Sequence, residues 1–176
     1  MVRNLFSEIS EGDLEGVKRM VAYNPHYLRT KDYIKRFPLD RAIANGKLDI
    51  AKFLFEKGGR PNLEIYCDGI NTPVHEAAEY EHATILEWVF ENKVLPLRVL
   101  NIKNDYGWTP LELAFRWRNM KTVALLQHFI HILDSVFLAM QRAKRDHQCV
   151  LRRLPNELLD MVVDEVAARY QLKVVW

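Results

Sequence analysis

The chain has 176 residues, 49% of them hydrophobic and 27% charged, which is enough apolar material for one continuous core in a single domain's length. Its 25 Lys and Arg against 23 Asp and Glu leave a net charge of only +2, so the balance points neither to nucleic acid nor to an acidic membrane surface. Two cysteines, Cys67 and Cys149, stand 82 residues apart without metal-ligand or disulfide spacing, which suits a reducing compartment such as the cytoplasm.

In chain order, the opening stretch MVRNLFSEISEGDLEG lacks the apolar core of a secretory signal. Residues 4 to 21 predict a first, degenerate helix pair, Leu5 to Ile9 and then the stretch Glu11 to Val21 containing Gly12. The same plan returns with Phe37-Pro38-Leu39-Asp40-Arg41-Ala42-Ile43, then Gly46, then the apolar stripe of Leu48 to Phe55. It returns again as Thr72-Pro73-Val74-His75-Glu76-Ala77-Ala78 followed by Ala83 to Phe90, and as Thr109-Pro110-Leu111-Glu112-Leu113-Ala114-Phe115 followed by Lys121 to Leu126. The three prolines are 35 and 37 residues apart, and Gly12 precedes Gly46 by 34, a period that marks a solenoid. Each Thr-Pro pair is a helix start: the hydroxyl caps the first turn, proline fits where its missing N–H is not needed, and the alanines that follow let helices approach closely. Glu81 and Arg118 stand where the first two copies carry glycine, which leaves those two turns less well specified.

These motifs resemble the ankyrin-repeat family, whose unit of about 33 residues is a β-turn and two antiparallel helices with a T-P-L-H-x-A core. The resemblance implies an all-α ankyrin-repeat solenoid of about four repeats over residues 1–129, divided near 4–32, 33–66, 67–103 and 104–129, with additional C-terminal helices. The first repeat lacks Thr-Pro and has Glu8 where the inner ones have Ala, a polar variant expected of a terminal repeat that shows one face to water. His75 is then the imidazole that ties adjacent repeats by hydrogen bonds. The resemblance also implies a target protein on the concave face, made of the helix positions Arg41, Asn45, Glu76, Tyr80, Arg116 and Trp117 and the turn tips near Tyr33, Lys35, Asn71, Tyr106 and Trp108.

A metal reading of the histidines is weaker. A zinc-protease helix needs His at i and i+4, but Glu79 occupies that place after His75, and His82 is seven residues away. His128 and His131 sit at i, i+3 and are explained by an amphipathic helix. No nucleophile elbow or phosphate-cradling glycine loop is present, so the sequence points to binding rather than catalysis, without cofactor or metal.

After residue 129 the period stops. Ile130, Leu133, Val136, Phe137 and Met140 predict a further helix capping the fourth repeat, joined to a basic linker over 130–150. Arg142 to Arg153 carries an excess of basic residues without interleaved aromatics, the pattern of a solvated face. Residues 151–176 begin Leu151-Arg152-Arg153-Leu154-Pro155-Asn156-Glu157-Leu158-Leu159, an amphipathic helix start that resembles a truncated F-box. That resemblance implies docking of Leu154, Pro155, Leu158, Leu159 and Val162 on the Skp-type adaptor of a cullin–RING ubiquitin ligase. Ankyrin proteins of poxviruses and of some intracellular bacteria are similar in placing a short F-box-like segment after their repeats, which would set the protein in a host cytoplasm. The alternative is a stand-alone ankyrin scaffold or inhibitor that binds a partner, its C-terminal helices only capping the solenoid; under either reading the expected compartment is the cytoplasm or the nucleus.

Overall fold

The computed structural model describes residues 4–61 and 71–145, with side chains as far as Ser135. Cys67, Cys149, the boundary expected at 66/67, the end of the basic linker and all of the F-box-like segment lie outside the described residues.

Local capping decides where each helix begins. Thr109 Oγ1 accepts the Glu112 N–H at 3.3 Å while Glu112 Oε2 accepts the Thr109 N–H at 2.7 Å, a reciprocal pair that starts α7, Pro110–Arg116. Thr72 and His75 start α5, Pro73–Glu79, in the same way, with the imidazole Nδ1 in place of the carboxylate. In α3, Pro38–Ala44, the threonine is replaced by Phe37, and Asp40 alone reaches back to the Phe37 N–H at 3.1 Å. The first copy, without Thr-Pro, uses Asn4 and Ser7 for the same purpose at the start of α1, Leu5–Glu11.

Each of these seven-residue helices is followed by an antiparallel partner: α2 (Leu14–Tyr23), α4 (Leu48–Glu56), α6 (Ala83–Glu91) and α8 (Met120–Arg145). The intervening turn is the same in all four pairs. A residue at positive φ (Gly12, Gly46, Glu81, Arg118) is followed by one whose N–H bonds five residues back, from Asp13 to Glu8, Lys47 to Ala42, His82 to Ala77 and Asn119 to Ala114, at 2.8–3.0 Å. The turns without glycine are therefore as well formed as those with it. Glu81 and Arg118 accept φ of 57° and 59°, the left-handed region that glycine enters without strain.

The pairs stack in chain order: α1 packs on α3, α3 on α5 and α5 on α7, with the second helices in a parallel row behind. Ile9, Ala42, Ile43, Ala77, Ala78 and Ala114 of the first helices are fully buried, as are Val17, Ala51, Leu54, Leu86, Val89 and Leu126 of the second ones. The Trp88 ring meets the edge of Phe55 at 5.9 Å, and Phe90 meets Phe129 at 5.1 Å, so aromatic contacts join the second row.

Two expectations are corrected. Glu8 does not face water in the first pair: it is buried, over Gly16, where a Cβ would overlap its carboxylate. The helix expected as a separate cap from residue 130 is a continuation of α8, one helix of 26 residues with no break at 129. The reason is plain in its composition, which contains neither Gly nor Pro between Met120 and Arg145, while Phe129 and Leu133 extend its buried stripe. No described helix is long and apolar enough to cross a membrane.

A left-handed residue other than Gly costs about 1–2 kcal/mol, partly offset by the roughly 0.5–1 kcal/mol of extra chain entropy a glycine loses on folding. Glu81→Gly and Arg118→Gly are each expected to stabilise the fold by about 0.5–1 kcal/mol in urea titration, the difference of those two effects. Gly46→Ala should destabilise it, since the new Cβ would meet the His82 ring at a φ of 65°.

Candidate protein-interaction face

The turns that precede α3 and α7 are built alike. Asp32 and Asn104 each stand six residues before the helix-starting proline, and the side-chain oxygen of each accepts backbone N–H groups two and four residues on. A paired backbone bond closes each turn, from the Asp32 N–H to the Arg36 carbonyl at 3.0 Å and from the Asn104 N–H to the Trp108 carbonyl at 2.8 Å. Lys35 and Gly107 supply the positive φ at the tip.

Polar side chains then tie each turn to the neighbouring pair. Arg36, buried, bonds Asp32 at 3.1 Å and reaches Glu76 of α5 at 3.0 Å. Asn104 donates to Asn71 at 2.8 Å, and Asn71 donates to Glu79 at 3.2 Å. His75 Nε2 donates to the Trp108 carbonyl at 2.9 Å, while its Nδ1 accepts from the Thr72 hydroxyl at 2.7 Å; these contacts fix the neutral Nε2–H tautomer. Asn119 donates to the Ala78 and Glu79 carbonyls at 2.8 and 2.6 Å, joining the last two pairs at the other end of the helices.

The structure separates the expected target-binding residues into two groups. Tyr33, Lys35, Tyr80, Tyr106, Arg116 and Trp117 are exposed. Arg41, Asn45, Asn71, Glu76 and Trp108 are half-buried, engaged in the ties between repeats: Arg41 and Asn45 both donate to Ser10 Oγ, at 3.1 and 3.3 Å, and Arg41 pairs with Asp32 at 3.5 Å. Asn45, Tyr80 and Trp117 occupy the same position at the ends of α3, α5 and α7. In the fourth pair the Arg116 guanidinium lies 4.4 Å over the Trp108 ring, and Trp108 stacks on Tyr106 at 5.4 Å, giving an ordered aromatic and cationic surface. Sequence reading missed the exposed Phe115 and Met120, which the stack would cover if another pair followed α7 and α8; their equivalence to buried Ile43 and half-buried Leu48 was the available signal. It also missed Lys31 and Ser10 at the N-terminal end of the same face. Among the described residues no group of three or more His, Cys, Asp or Glu is arranged to hold a metal.

No protein-family model matches the chain. It is 28% identical over 163 residues to "Putative E3 ubiquitin-protein ligase XBAT31" of Arabidopsis thaliana, covering 69% of this chain and 36% of that protein. It is 30% identical over 99 residues to a "Putative ankyrin repeat protein" of Rickettsia felis, covering 56% of this chain and 43% of that one. The chain thus spans less than half the length of each of these relatives. With the stacked helix pairs, the ankyrin relative supports an all-α ankyrin-type solenoid.

Burial pushes the His75 imidazole below its ordinary pKa of 6.5, opposed by its bonds to the Trp108 and Ile102 carbonyls. Burial, then the nearby Lys47, lowers His82 as well. Both groups bind protons more readily in the unfolded chain, so the stability they contribute is complete above 6.5 and is lost as pH falls through and below that value. Urea unfolding should therefore give lower stability at pH 5.5 than at pH 7.5, with a slope of at most about 1.4 kcal/mol per pH unit from His75. His75→Gln should reduce that slope, and a chelator should leave the melting temperature unchanged.

Proposed function

We propose that the chain is a protein-interaction adaptor that holds a target protein on its turn-and-first-helix face and brings it to a cullin–RING ubiquitin ligase through Leu154, Pro155, Leu158, Leu159 and Val162. The observation that carries the target-binding half is the set of aromatic side chains left in water on one face: Tyr33, Tyr106, Tyr80 and Trp117 are 86%, 63%, 65% and 56% exposed. Aromatic residues and Arg supply most of the energy at protein interfaces, and here they are held by a framework whose own hydrogen bonds are already made. The ligase half is supported by the amphipathic Leu154-to-Val162 pattern and by the likeness to a protein named as an E3 ubiquitin ligase. An amphipathic helix presents such a stripe to a groove on its partner. On this reading the chain binds rather than catalyses and acts in the cytoplasm.

A second reading, a stand-alone scaffold, is favoured by a different observation. Phe115 and Met120 are 65% and 58% exposed at the C-terminal end of the described stack, an apolar surface that the Leu154-to-Val166 stripe is suited to cover.

Affinity purification of tagged wild type and variants separates the two. Tyr80→Ala and Trp117→Ala should each weaken target retention by about 2 kcal/mol or more without lowering the melting temperature. Leu154→Ala/Pro155→Ala should keep both target and stability and lose the adaptor and cullin. If that double variant instead melts early, by the roughly 2–5 kcal/mol of a buried leucine, the segment is a lid.

A further inference from the structure

From the geometry at the N-terminal end of the face we infer a binding pocket for an acidic peptide segment, one that seats a single carboxylate on Arg41 and Lys31. This inference rests on the reading that the turn-and-first-helix face holds a protein target, and it names the chemistry of part of that target.

A cleft of about 540 Å³ opens between α1 and the turn before α3. That volume lies in the range of small-ligand sites, about 300–1,000 Å³, and exceeds what one ion needs. Phe6 and Tyr33 form apolar walls, Arg41 lies in the wall with its side chain only 20% exposed, and exposed Lys31 stands at the rim.

Hydrogen-bond capacity in the cleft decides the ligand class. The Asp32 carboxylate is saturated: one oxygen accepts the Ile34 and Arg36 N–H groups, and the other accepts from the Arg36 and Arg41 guanidinium groups. Ser10 Oγ donates to the Phe6 carbonyl and accepts from Arg41 and Asn45. Ser7 is taken up in capping α1. Arg41, by contrast, directs Nε to Ser10 and one Nη1 hydrogen to Asp32, which leaves most of its five donors unspent. Lys31 makes no ion pair among the described residues and lies 4.9 Å over the Phe37 ring. What the cleft offers is therefore mainly donors of positive charge beside an aromatic wall, and the complementary group is an acceptor carried on an apolar stem: an Asp or Glu side chain with a hydrophobic neighbour.

Glu11, also exposed at the rim, carries the opposing charge. Its like charge opposes an incoming anion, and opposes a doubly charged phosphate more than a single carboxylate.

The test is fluorescence anisotropy of the full chain with a labelled peptide, Glu-Asp-Glu-Leu-Glu-Asp-Glu-Leu, beside its Gln and Asn counterpart and a version with phosphoserine in place of the third residue. The acidic peptide should bind at one saturable site and weaken with salt. Lys31→Glu should weaken it roughly tenfold, and Glu11→Gln should tighten it, as expected for charges acting across an interface. Both changes are at exposed positions, and circular dichroism checks that the helices persist. No saturable binding up to about 1 mM, equal binding of the neutral peptide, tighter binding of the phosphopeptide, or indifference to both substitutions would overturn the pocket. If the pocket fails while Trp117→Ala still abolishes target retention, only this inference falls and the adaptor reading stands.

Discussion

Each inner repeat carries one small, fully buried side chain in its first helix, and the close packing of the helices around it depends on that size. Ala42, Ala77 and Ala114 occupy the same place in α3, α5 and α7, are fully buried, and also supply the carbonyl that closes the turn behind them. A larger residue there would push the helices apart, at about 1–3 kcal/mol for the overpacking alone. It would also pull the His75 imidazole away from the Trp108 carbonyl and Arg36 away from Glu76, because those bonds span adjacent repeats and tolerate little movement. The first pair obeys the same constraint by another route. Its Glu8 is large, and the room it needs is made by Gly16 on α2 rather than by separation of α1 from α3.

The polar framework explains why aromatic rings can be left in water. The turns before α3 and α7 satisfy their backbone through Asp32 and Asn104, and the bonds to the next pair come from Arg36, Asn71, His75 and Asn104. None of this calls on the side chain of Tyr33 or Tyr106, although both sit within those turns. The hydrogen bonds of the turns and the exposed rings thus belong to different side chains, an arrangement that lets the surface vary without disturbing the stack. Trp108 is the exception, since its carbonyl holds His75 while its ring stacks between Tyr106 and Arg116.

Much of the fold was legible because its signals are local. Thr72-Pro73 and Thr109-Pro110 announce helix starts within four residues, and the apolar stripes behind them predict the second row. What could not be read depends on neighbours 30 to 40 residues away. Arg41, Asn45, Asn71 and Glu76 look like surface residues on a single helix or turn and become half-buried only when the adjoining pair brings Ser10, Asn104 or Arg36 against them. Glu81 and Arg118 have the wrong chemistry for a left-handed turn, and the packing of two helices holds them there regardless. The Asp32 and Asn104 spacing from the prolines was present in the sequence and is a better marker of these turns than the tip residues, which differ between Lys35 and Gly107. The run-on of α8 was legible too, in the absence of any breaker after Met120.

That long helix turns a matter of sequence order into one of distance. Up to Leu133 it is anchored in the core, and from there to Arg145 it carries the backbone about 18 Å further along one axis, at 1.5 Å per residue. An irregular linker of the same dozen residues would leave its far end free to sample a wide volume. A helix instead gives that end a bearing and a stand-off from the aromatic face. The backbone position of Arg145 is thus set like the arm of a caliper and would change in both length and angle with each residue added to or removed from α8.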